Sequence, residues 1–168
     1  MSLPMSAVAT QSFLQTLTAL SKILDKAAAH CAAKKIDQAV VMQTRLTPDM
    51  FPFVKQVQIA CDFAKNSATR LMGQEPPRFE DNEQTLPQLR ARIAKTLDHL
   101  QTVSAAGFEG AAERDIKIPL PDNKSLEMKG LPYLRDFALP NFYFHVVTAY
   151  DILRHNGVDV GKRDYLNM

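Results

Sequence analysis

Few residues in this chain carry chemistry, and they converge on one stretch. Between Leu139 and Tyr150 there is no Asp, Glu, Lys or Arg, yet His145 stands there among Phe142, Tyr143, Phe144, Val146 and Val147. A helix apolar on nearly every side is buried in a core or an interface, and an imidazole inside it needs a partner. Gln56, on an earlier helix, offers both a donor and an acceptor and is the natural partner across a bundle. Tyr143, Tyr150 and Tyr133 are candidates to line a pocket around His145, because a phenol can act as an acid or a hydrogen-bond donor. Each has a plainer alternative. His145 can be a satisfied core group, and the tyrosines can pack with their hydroxyls at the surface.

The other reactive side chains read as structural. Cys61 lies on an apolar stripe with no evident base beside it, which describes an inert core thiol rather than a nucleophile. Cys31 has no motif spacing to Cys61, and both are read as reduced, buried hydrophobes of a cytoplasmic protein. Arg154 and His155 complement the negative end of a helix, while Asp49, Asp81 and Glu83 suit helix N-termini. No phosphate-binding glycine loop, nucleophile elbow or Cys-x-x-Cys pair is present.

Four helices must position these groups. The first spans roughly 6 to 33, with Phe13, Leu17, Leu20, Leu24 and Ala28 on one face. The second is predicted to start at Pro48, capped by Thr47. Its stripe of Met50, Val54, Val57, Cys61, Ala64, Ala68 and Leu71 is the seam of a helical bundle. Gly73 ends it and Pro76-Pro77 prevent continuation. The third carries Leu86, Leu89, Ile93, Leu97, Leu100 and Val103, with Thr85 as cap, and stops near Gly107.

From Ile116 to Met128 the period changes to two. Ile116, Ile118 and Leu120 alternate with polar residues or proline, as do Leu126 and Met128, around Pro121-Asp122-Asn123-Lys124. That pattern predicts a β-hairpin whose apolar face lies on the bundle, since two strands alone are marginal in water. The last helix begins near Leu131, is kinked or restarted by Pro140, and ends at Asn156-Gly157.

Composition narrows the class. The 20 basic and 18 acidic residues are mixed along the chain and give a formal charge of +2. Without a basic block, nucleic acid is not expected as a partner. No run approaches the roughly 20 apolar residues of a membrane span, so no membrane partner is expected. The start, Met1 to Ser6, lacks the basic and apolar regions of a signal peptide. The whole chain, 1–168, reads as one domain with a core of its own.

Leu46-Thr47-Pro48-Asp49-Met50-Phe51-Pro52, Gln56-Val57-Gln58, Tyr133-Leu134, the Leu139–Gly157 stretch and Gly161-Lys162-Arg163-Asp164 together resemble the DinB/YfiT-like superfamily of bacterial proteins. Within it the chain is similar to an uncharacterised branch classed as a domain of unknown function. The resemblance covers essentially the whole chain. It implies an all-α four-helix bundle of up-down-down-up topology, here with the hairpin inserted between helices three and four. In many members it also implies a divalent metal held by three histidines, one on helix two and a His-x-x-x-His pair on helix four. That spacing puts both imidazoles of the pair on one helix face. This chain departs from it: His145 matches one member of the pair, but position 149 is Ala, and helix two offers Gln56 or Gln58 instead of histidine. His30, His99 and His155 lie near helix ends. The metal site therefore reads as degenerate, with no metal and no cofactor expected.

Three functions follow. The first is a non-catalytic protein with a small-molecule pocket around His145, lined by Gln56, Tyr150 and Tyr143. The second, implied by the resemblance, is a metal- or thiol-cofactor-dependent transferase or isomerase working through His145. The third is a homodimeric interaction protein that uses helix four as its seam.

Overall fold

The computed structural model describes residues 4–168; the first three residues of the expected leaderless start lie outside it. Helix α1 spans Met5–Lys34, α2 Gln38–Gln43, α3 Phe53–Leu71 and α4 Leu86–Gln101. Strands β1 (Asp115–Pro119) and β2 (Ser125–Lys129) follow, then a turn of helix α5 (Gly130–Pro132), a π-helical segment (Tyr133–Ala138), α6 (Leu139–His155) and α7 (Lys162–Tyr165). The four long helices contact one another in the cyclic order α1, α4, α3, α6, with α3 against α6 the most extensive pairing. Of the expected seam, Val57, Cys61, Ala64, Ala68 and Leu71 are buried on α3 in one core with Phe142, Val146, Ala149 and Ile152 of α6, whereas Val54 is half-buried and Met50 precedes the helix. Small residues on both helices permit that close approach.

Several local expectations meet the structure directly. Thr85 accepts from Gln88 N while the Gln88 side chain accepts from Thr85 N, a reciprocal capping box. The hairpin pairs Ile116 with Met128 and Ile118 with Leu126. Asp122 and Asn123 take the left-handed conformations of its turn. Only β1 is deeply buried, through Ile116 and Ile118; Leu126 stays exposed.

Two expectations are corrected. Helix α3 starts at Phe53, after Pro52, rather than at Pro48. The Thr47 hydroxyl donates to Asp49 at 2.6 Å instead of capping the helix. Helix α4 ends at Gln101, and a separate turn of 3-10 helix, Ala105–Phe108, fills the stretch to Gly107. Pro140 marks a restart, as expected: α6 begins at Leu139 after the π-helical segment. The preceding turn widens so that Leu139 N bonds to Leu134 O, five residues back, and the proline sits in the first turn of α6, where a missing donor costs little.

Candidate functional site

Val57 and Ala60 on α3, with Phe142, Val146 and Ala149 on α6, close the seam between the two helices. Gln56 and His145 lie at its edge, 1% and 9% exposed. His145 Nδ1 and Gln56 Oε1 are 2.7 Å apart. The direction of this bond follows from the backbone. Gln56 Nε2 donates to the carbonyl of Phe51 at 3.0 Å, so the amide oxygen faces the imidazole. An amide oxygen only accepts, so Nδ1 carries the proton and Nε2 keeps its lone pair. Burial pushes the His145 pKa down to about 4, which keeps the ring neutral at neutral pH.

Aromatic rings surround it. Phe63 stacks on the imidazole at 5.9 Å and 19°, and Phe144 meets it edge-on at 5.2 Å and 88°. The row continues along the α3–α6 seam through Phe137, 5.8 Å from Phe63, to Tyr133, 6.0 Å from Phe137. Tyr133 is fully buried, and its hydroxyl is 3.0 Å from Ser67 Oγ. The periodicity contained this row: Phe63 stands seven residues after Gln56, two turns along the same face.

Tyr143 and Tyr150 belong elsewhere. Tyr143 packs on Phe142 and lines a cleft of about 570 Å³ with Gln11, Thr16 and Tyr165. Tyr150 packs on Tyr165 and donates to Val160 O at 3.5 Å. The physical reason is helical pitch: at 3.6 residues per turn, Tyr143 and Tyr150 lie about 160° and 140° around α6 from His145. Gln58 also faces away, donating to Glu83 at 2.8 Å.

Residues 5–166 match the family described as a domain of unknown function, DUF1993. The chain belongs to the DUF1993 family. It is also similar to the crystal structure of a DinB family member protein from Shewanella denitrificans. The two are 44% identical, with a TM-score of 0.88, over 96% of this chain and 90% of that one. No curated protein matches it.

The three-histidine centre implied by the DinB resemblance does not fit the residues of this DUF1993 chain. Gln56 turns its carbonyl to Nδ1–H and its amino group to Phe51, and Ala149 presents a methyl group. Among the described residues, no three His, Cys, Asp or Glu side chains are grouped to hold an ion. His99 Nε2 is 2.8 Å from Thr69 Oγ1, on another face. Cys61 is fully buried in the core, and burial pushes its thiol up to about 12.

Sequence reasoning missed a second polar cluster between α3 and α4. The Arg92 guanidinium, 2% exposed, bonds Asp62 and Asp81 at 3.0 Å and Glu83 at 3.1 Å. Lys65, 2% exposed, bonds the Pro77 carbonyl and lies over the Phe79 ring. These contacts hold the 74–85 connection to the bundle. Only their scatter along the sequence hid them, since a buried arginine is unexpected until its acids are adjacent.

Proposed function

We propose that this DUF1993 protein is a non-catalytic binding module of DinB-like, up-down-down-up architecture, working in the cytoplasm, where Cys31 and Cys61 stay reduced. Its recognition element is His145 Nε2, a neutral acceptor set in an aromatic surface and oriented by Gln56. The observation that carries this reading is the 2.7 Å bond to Gln56, which leaves Nε2 open. The ligand class is a small aromatic or apolar molecule with one hydrogen-bond donor: the donor meets Nε2, and the apolar body lies on Phe63 and Phe144. Tyr143 and Tyr150 take no part.

Phenol and anisole are matched probes, since only phenol can donate. Titration to millimolar levels, followed by the ¹⁵N resonances of His145, is expected to show a saturable Nε2 shift with phenol and none with anisole. No response to phenol, or equal responses to both, sinks the reading. The rival metal-dependent transferase or isomerase draws on the same open Nε2, because a ligating imidazole also donates its other N–H to a carbonyl. Stoichiometric zinc, nickel or manganese in the purified protein, lost in His145→Ala, would establish that rival instead.

A further inference from the structure

A cleft of about 640 Å³ lies between the C-terminal end of α3 and the hairpin, with Arg70, Glu75, Lys117, Leu120 and Lys124 in its walls. It is remote from the histidine, because Arg70 stands 14 residues, or about 21 Å, beyond Gln56 on α3. Arg70 is half-buried, and its guanidinium makes one hydrogen bond among the described residues, a long one of 3.5 Å to the Tyr133 hydroxyl. A bond of that length is weak, so most of the guanidinium donors are unused. The ordinary task of a cation in the last turn, answering the negative helix end, falls to another residue. Arg114 passes beside Gly73, where a Cβ would lie 3.3 Å from its Nε, and donates to the carbonyls of Leu71, Gly107 and Glu109.

We infer that this cleft binds a small phosphate monoester with an apolar body. Of the two acids in its walls, Asp115 is already bonded by Lys129 at 2.6 Å, and Glu75 remains. Lys117 is 3.8 Å from Glu127, an exposed pair of the kind that holds little. With Arg114 committed to main-chain carbonyls, Arg70, Lys117 and Lys124 against Glu75 leave a surplus of two positive charges. A phosphate monoester carries almost two negative charges at neutral pH and matches that surplus, whereas a monocarboxylate does not. The guanidinium supplies paired N–H donors to the phosphate oxygens. Leu120, 42% exposed, supplies the apolar wall for the body of the ester.

This site goes beyond the His145 reading and does not depend on it. Phenyl phosphate, titrated to millimolar levels into the full chain at neutral pH, is the probe. Saturable NMR shifts are expected at the Arg70 Nε–H and at the Lys117 and Lys124 amides. Inorganic phosphate should bind roughly tenfold more weakly, since it lacks the apolar body. Arg70→Gln should weaken phenyl phosphate by about tenfold or more, the loss expected of a charged hydrogen bond. Glu75→Gln removes the opposing charge and should tighten binding about threefold, a gain that poor folding cannot produce. No saturable response, equal affinity for inorganic phosphate, an Arg70→Gln variant that binds like the parent, or a Glu75→Gln variant that binds no tighter would overturn the inference. The phenyl phosphate dianion has no proton to donate, so the His145 ¹⁵N resonances should stay still, and either site can fail its test while the other passes.

Discussion

Gln56 and His145, 89 residues apart in the chain, are joined by a 2.7 Å hydrogen bond whose direction is set by a third residue, Phe51. The fixed backbone carbonyl orients the amide, and the amide in turn fixes the imidazole tautomer. Gln56→Leu removes the acceptor while keeping the volume, leaving Nδ1–H buried without a partner. That should cost about 1–3 kcal/mol. Chemical denaturation measures the loss. Imidazole ¹⁵N shifts should move from a single Nδ1–H tautomer in the parent to a mixture in the variant. A variant as stable as the parent, with its tautomer unchanged, would show that the bond does not hold the ring.

The depressed pKa of His145 gives a pH signature. With a folded pKa of about 4 against an ordinary 6.5, the unfolded chain binds the extra proton between those values. Stability therefore falls as pH drops from about 6.5 to about 4, and below that this group contributes no further slope. The full effect is of order 3 kcal/mol. Carboxylates add their own acid loss, so the comparison is with His145→Gln, which cannot titrate. Its stability relative to the parent should improve steadily over that window. Parallel curves for the two proteins would contradict the burial argument.

Arg92 is the counter-ion for three acids. Arg92→Ala should lower stability by about 3 kcal/mol, since Glu83 is 9% exposed and loses its cation. The figure sits at the low end of the range because Asp62 and Asp81 keep about a third of their side chains in water. Urea unfolding at neutral pH reads it.

Gly130 joins the hairpin to the last helical run where no side chain fits. A Cβ there would lie 1.8 Å from the Ala111 carbonyl oxygen, a backbone atom. Gly130→Ala should destabilise the protein by at least about 2 kcal/mol, because relief requires moving the 3-10 turn at Ala111–Glu113. Thermal melting decides this, and a melting temperature equal to the parent's would place the two segments further apart than described.

Periodicity determined much of this protein. The 3.6-residue stripes located the long helices, the period-two run around Pro121–Lys124 located the hairpin, and Thr85 located a cap. Each of these signals is local, written in residues that touch within a turn or across one hairpin. Helix starts were less legible: with prolines at positions 48 and 52, only the folded chain decided that Thr47 would bond Asp49 and that α3 would begin after Pro52. The candidate site divides in the same way. The isolation of His145 among apolar residues marked it, and the amide chemistry of Gln56 made it the natural partner. Tyr143 and Tyr150 were near in sequence but lay around the helix on the wrong side. The aromatic enclosure by Phe63 and Phe144, and the grouping of Arg92 with Asp62, Asp81 and Glu83, were decided only in three dimensions. They depend on which helix faces which, and no local pattern encodes that choice.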